Sequence, residues 1–132
     1  MTDIQNKQGI GCRYQARLRA FGYAFQGLRT LLFSQCHARF HALAAVLVIV
    51  LGFLLKISLI EWCLVSFAIT LVFACEAINT AIEFLTDRVS MEPHPLSGKA
   101  KDVAAGAVLI ASVGAAAIGV IIFGPKIWRL IF

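Results

Sequence analysis

The sequence predicts an all-α membrane protein with three transmembrane helices and a preceding amphipathic surface helix. Three observations carry this. Of 132 residues, 60% are hydrophobic and only 14% charged, well away from the soluble norm. Three apolar stretches, 40–56, 59–85 and 101–124, are candidates to span a bilayer, which takes about 20 residues. The basic residues gather on one side of those stretches. The whole chain, 1–132, reads as one integral-membrane domain.

Residues 1–12 are polar and expected to fray. Over 13–33 the pattern is helical and amphipathic: Tyr14, Leu18, Phe21, Phe25, Leu28 and Leu32 share a face opposite Arg19, Gln26 and Thr30. That stripe fits the acyl boundary of a membrane surface and equally fits packing on neighbouring helices. The first apolar stretch is short, and reaches across if Arg39 and Lys56 snorkel to the interfaces. A minimal turn at 56–58 makes it an antiparallel hairpin with the second, where Trp62 is expected as an interfacial anchor. Pro93 and Pro95 forbid a continuous helix over 89–97, with Ser97 as the expected N-cap of the third span. That span is rich in Ala and Gly, which permits close helix contact in lipid. Three helices cannot enclose a polar stripe well, so self-association is expected.

Lys7, Arg13, Arg17, Arg19, Arg29 and Arg39 precede the first span, and Arg88, Lys99 and Lys101 lie between the second and third. Only Lys56, Lys126 and Arg129 fall on the other side. The positive-inside rule therefore places the N-terminus in the cytoplasm, and the first span, after a polar basic segment, is expected to direct its own insertion. The net charge of +5 reads as topology and contact with anionic headgroups; nucleic-acid binding is the weaker interpretation, as no binding module is present. Cys12, Cys36, Cys63 and Cys75 have no metal-finger or CxxC spacing and read as small apolar residues.

Glu76, Asn79, Glu83 and Asp87 recur at spacings of three, four and four residues, returning to one face of a helix. A carboxylate at the centre of a transmembrane helix costs about 2.5–3.5 kcal/mol on insertion scales, so such residues face a protein interior or wet cavity with a partner or a task. Lys101 and Asp102 emerge at the same end as Glu83 and Asp87. Carboxylates near a lysine and a helix N-terminus suit a metal-bound polyphosphate, and phosphoryl transfer needs little beyond positioning, charge neutralisation and a group for the acceptor proton. Glu76, about two turns deeper than Glu83, is placed to meet a hydroxyl presented from the bilayer. The nucleotide loops of P-loop enzymes and protein kinases are absent: Gly98-Lys99 lacks the upstream glycine and the following Ser or Thr. From the residues alone an ion or proton pathway is an equal alternative. Each group also has a bland role: Glu76 as a protonated buried acid, Asp87 and Arg88 as solvated helix-end charges, His37 and His41 as interfacial residues, Lys99 as a headgroup contact.

The string Glu76-Ala-Ile-Asn79-Thr-Ala-Ile-Glu83-Phe-Leu-Thr-Asp87, followed by Glu92-Pro-His94-Pro-Leu-Ser-Gly-Lys-Ala-Lys101-Asp102-Val-Ala-Ala-Gly-Ala-Val-Leu, resembles the prokaryotic diacylglycerol kinase and undecaprenol kinase family. Gly22-Tyr23 and Gly27-Leu28-Arg29, the length and the layout extend the resemblance over roughly residues 13–124. It implies a homotrimer in the bacterial inner membrane, with composite sites between subunits, that uses Mg²⁺ and ATP to phosphorylate a lipid hydroxyl. By that resemblance Glu76 is the catalytic base and touches the lipid alcohol with Arg29, and Glu83 is a metal ligand. Tyr23, Asn79, Glu83, Glu92, His94, Lys101 and Asp102 contact ATP. Where many members carry a second metal-binding glutamate, this chain has Gln35, a neutral oxygen ligand at most. Arg39-Phe40-His41, Ile60-Glu61-Trp62 and His94-Pro95-Leu96 resemble the undecaprenol branch, with diacylglycerol the close second acceptor.

Overall fold

The described residues form four helices: α1 (Thr2–Ser34), α2 (Cys36–Leu54), α3 (Leu59–Val89) and α4 (Pro95–Ile131). The computed structural model describes residues 2–89 and 94–132, with residues 2–14 and 16 described by backbone alone. Three of the helices, α2, α3 and α4, are long and apolar enough to cross a membrane. α3 and α4 pack together most extensively, α2 leans on α3, and α1 touches both α2 and α3 near its C-terminal end.

Every helix outruns the sequence expectation. α1 begins at Thr2 rather than near 13, because nothing in the polar segment breaks a helix once the turns after it have nucleated one. α2 starts at Cys36, not Phe40, and ends at Leu54; its 19 residues reach about 28 Å. α3 runs on to Val89. α4 opens at Pro95, whose missing N–H is no loss in a first turn. Its N-cap is His94, not Ser97: the imidazole Nδ1 accepts from Leu96 N–H at 3.2 Å. At the other end α4 continues through Pro125 to Ile131. One internal hydrogen bond is lost there, and the segment beyond it is tied down because Lys126 Nζ lies 3.2 Å from Glu61 Oε1.

The α2–α3 turn is closed by backbone chemistry. Ile57 N–H donates to Gly52 O at 3.1 Å and Lys56 N–H to Phe53 O at 3.3 Å, the paired bonds of a Schellman motif. Lys56 takes the left-handed position at φ 48°, where glycine is more usual. Ser58 and Glu61 then form a capping box: Ser58 N–H donates to Glu61 Oε2 at 2.6 Å and Glu61 N–H to Ser58 Oγ at 3.3 Å. Trp62, at the position expected of an interfacial anchor, also packs on the hairpin, its ring centroid 4.9 Å from that of Phe53. Ile57, Val65, Ile122 and Phe123 form a small buried cluster beside it. Outside this core the helices present Phe40, Phe67, Val103, Ile110 and Val120 outward, the inverse of a soluble protein. Cys36, Cys63 and Cys75 are free thiols.

Gly52 is where the hairpin tolerates no side chain. A Cβ there would lie 2.8 Å from Trp62 Cη2 and 3.1 Å from Ile57 Cδ1. Gly52→Ala is expected to destabilise the folded protein by about 1–3 kcal/mol, the usual cost of overpacking. Thermal unfolding in detergent measures this, and the double change Gly52→Ala with Trp62→Leu should recover part of the loss.

Candidate active site

The acidic stripe of α3 is built into the bundle as its spacing predicts, and each carboxylate finds a partner on another helix or at a helix junction. Glu83 is held from two sides. Asn79, one turn earlier, donates Nδ2–H to Oε1 at 2.9 Å, and Gln35 donates Nε2–H to Oε2 at 2.9 Å. Gln35 reaches it because it is the break between α1 and α2, at φ −108° and ψ 121°, and its side chain makes no capping bond to α2. A carboxylate can only accept, so both amides must turn their nitrogens toward it. Asn79 Oδ1 is left buried without a hydrogen-bond partner among the described residues.

Glu76 sits two turns deeper and is 3% exposed. Its Oε1 lies 3.3 Å from His41 Nε2 on α2, within ion-pair range yet without hydrogen-bond alignment. Thr80 beside it is also buried, its hydroxyl without a hydrogen-bond partner among the described residues. Toward the other end of the stripe, Asp87 pairs closely with Lys101 of α4. Asp87 stays exposed near the helix end, as a solvated charge would, and the packing of α4 on α3 brings Lys101 to it.

The remaining candidates lie apart. Tyr23, 71% exposed, and Arg29, whose guanidinium lies over the Phe33 ring at 5.7 Å, face outward from α1. No hydrogen bond or ion pair joins them to Glu83 among the described residues. Asp102 is exposed near the start of α4, two turns after the cap His94. Glu92 lies outside the described residues. One group was missed: His41 was read as interfacial, and its approach to Glu76 depends on how α2 leans on α3, which no spacing encodes.

Below this polar end, α2, α3 and α4 enclose an apolar cavity of about 310 Å³. His41 and Phe40 line one part of it, and Ala44, Val72, Ser112 and Gly119 are among its other walls. Ser112 Oγ is buried there without a partner. The room exists because α4 offers Ala and Gly where larger side chains would close it.

A divalent cation fits the Glu83 group in part. No cluster of three or more His, Cys, Asp or Glu side chains occurs among the described residues. Mg²⁺, however, commonly binds one or two carboxylates and takes its other ligands from water and substrate phosphates. One carboxylate, an orphaned amide oxygen on Asn79 and a Gln35 amide that can rotate suit such a site.

A family model described as prokaryotic diacylglycerol kinase matches residues 22–123. The chain is 39% identical over 109 residues to the undecaprenol kinase of Bacillus subtilis (strain 168), covering 83% of this chain and 89% of that protein. It is 36% identical over 96 residues to the diacylglycerol kinase of Escherichia coli (strain K12), covering 73% and 79%. The diacylglycerol kinase of Pseudomonas aeruginosa is 37% identical over 94 residues, covering 71% and 76%.

Gln35→Glu sets a second carboxylate against Glu83. Without divalent cations this variant should unfold at lower temperature than the parent, by an amount corresponding to about 1–3 kcal/mol. Added Mg²⁺ should restore it. Unfolding in EDTA and across a Mg²⁺ titration checks this, and identical curves for parent and variant in both conditions would place Gln35 outside any metal site.

Proposed function

Because this chain belongs to the prokaryotic diacylglycerol kinase family, a family of membrane lipid kinases, we propose that its α3 stripe transfers the γ-phosphoryl of ATP to the hydroxyl of a lipid alcohol. The observation that carries this is the pair of carboxylates on one helix face, Glu83 anchored by amides and Glu76 buried with an unsatisfied oxygen. Family membership gives no support to the ion- or proton-pathway alternative.

Seven residues separate Glu76 from Glu83, which is about 10 Å along the helix. That interval accommodates a phosphoryl group handled at Glu83 and an acceptor hydroxyl at Glu76. Glu76 takes the hydroxyl proton as the acceptor oxygen bonds to the γ-phosphorus; the bond to the β–γ bridging oxygen breaks and ADP leaves. Glu83, with Gln35 and Asn79, would hold Mg²⁺, which supplies neutralisation of charge on the phosphate oxygens. Lys101, released from Asp87, meets phosphate oxygens at the start of α4. His94, Asp102, Tyr23 and Glu92 are assigned to the nucleotide, and Arg29 to the lipid alcohol. The outward placement of Tyr23 and Arg29 on α1, with no hydrogen bond or ion pair to Glu83 among the described residues, together with the outward apolar faces of α2–α4, supports a homotrimer with sites shared between subunits. The basic residues before α2 and at the facing ends of α3 and α4, Arg88, Lys99 and Lys101, support a cytoplasmic N-terminus in the bacterial inner membrane.

Undecaprenol is the acceptor we favour. A polyprenol has no ester carbonyls to satisfy, and the cavity beside His41 offers few polar groups beyond Ser112. Discrimination between long lipids must come from such walls, since either acceptor presents one primary hydroxyl to Glu76.

Glu76→Gln should lower kcat by about 10²–10⁴, the usual contribution of a general base, with MgATP binding retained. Glu83→Ala should instead weaken MgATP binding strongly. Phosphorylation in mixed micelles and nucleotide titration separate the two, and near-normal turnover by folded Glu76→Gln would remove it from the reaction. In direct competition, kcat/KM should be higher for undecaprenol than for diacylglycerol. The opposite order would make diacylglycerol the acceptor and leave the kinase assignment intact.

A further inference from the structure

The contact between His41 and Glu76 joins two helices at the deepest charged group of the site. Glu76 is 3% exposed and His41 20% exposed, with Nε2 and Oε1 3.3 Å apart. No hydrogen-bond donor is aligned on Oε1 among the described residues, and His41 is the side chain that stands nearest to giving one. The imidazole is steadied in turn by the Phe40 ring, edge-on at 5.9 Å between centroids, and it lines the apolar cavity beside the stripe. No other side chain lining that cavity is charged or a histidine.

We propose that His41 is a positioning residue for Glu76, its Nε2–H holding Oε1 so that Oε2 is presented to the acceptor hydroxyl. The physical need is specific. The terminal torsion of a glutamate is broad, and Glu76, unlike Glu83, has no amide to fix it. An unanchored carboxylate would divide its time among orientations, and misplacement of a reacting group by about 1 Å can cost about 10²-fold in rate. A neutral imidazole N–H suffices for the task. At 3.3 Å the pair is within hydrogen-bond distance but not aligned, and catalytic contacts often align only in the reacting complex. The same group marks the boundary between apolar cavity and polar stripe, where a lipid hydroxyl must stop.

This inference rests on Glu76 being the base, and the test separates the two. His41→Leu fills the site without a donor, and His41→Gln restores an N–H of similar reach; His41→Ala serves as a third form if either proves unstable. Each is assayed as full-length protein in mixed micelles with ATP, using undecaprenol and diacylglycerol in parallel. His41→Leu should lower kcat by about tenfold or more with the KM for MgATP within about twofold of the parent, and His41→Gln should recover most of the loss. A parental kcat in His41→Leu, or a loss that His41→Gln does not relieve, would overturn the proposal. Glu76→Gln is run beside them. If it is inactive while His41→Leu is fully active, only the role of His41 fails; if it turns over normally, the assignment of Glu76 fails and the proposal falls with it.

Discussion

A carboxylate inside an apolar helix bundle must find donors or lose its charge, and this constraint organises the polar half of the molecule. α3 carries two such groups, Glu76 and Glu83, with the exposed Asp87 beyond them, and each of the three is answered from elsewhere in the chain. Gln35, at the α1–α2 break, answers Glu83; His41 of α2 answers Glu76; Lys101 of α4 answers Asp87. Every other helix is therefore tied to α3 at the level where chemistry is expected. The break at Gln35 follows the same logic. A continuous helix from α1 into α2 would leave its side chain on the helix surface, whereas an extended residue at that point aims the amide at Glu83.

The opposite end of the bundle is held by different means. There the hairpin closes on itself through the Schellman turn after α2, the capping box before α3 and the fit of Trp62 against Gly52. Lys126 then ties the last turns of α4 to Glu61, so that α4 survives its own proline. Backbone hydrogen bonds and shape dominate at this end, and side-chain polar contacts at the other. The apolar cavity lies between them, where neither kind of contact draws the helices together and small residues on α4 leave space.

Orphaned atoms mark where the fold leaves polar capacity unspent. Asn79 Oδ1, Glu76 Oε1, Thr80 Oγ1 and Ser112 Oγ are all buried without a hydrogen-bond partner among the described residues. A purely structural bundle has no reason to keep such groups, since each unsatisfied one costs about 1–3 kcal/mol. Three of the four lie on α3, two on the acidic stripe itself and the third, Thr80, beside it. Their accumulation on one face is what a site awaiting ligand oxygens and hydroxyls would carry, and it agrees with the family to which the chain belongs.

The sequence alone determined the helical class, the apolar spans and the single face shared by Glu76, Asn79, Glu83 and Asp87. These are local properties: hydropathy over about 20 residues and a 3.6-residue period depend on nothing distant. The capping box Ser58-Leu-Ile-Glu61 is also a local four-residue pattern, which the reading of 56–58 as a minimal turn passes over. Only the tertiary structure decided which partner each carboxylate received, that Trp62 turns inward to Gly52, and that His41 reaches Glu76. Those outcomes depend on how α2 and α4 lean on α3, an arrangement set by side-chain packing summed over whole helices. Helix ends moved for a related reason: contacts such as Lys126 with Glu61 stabilise turns that local signals, Pro125 above all, would have ended.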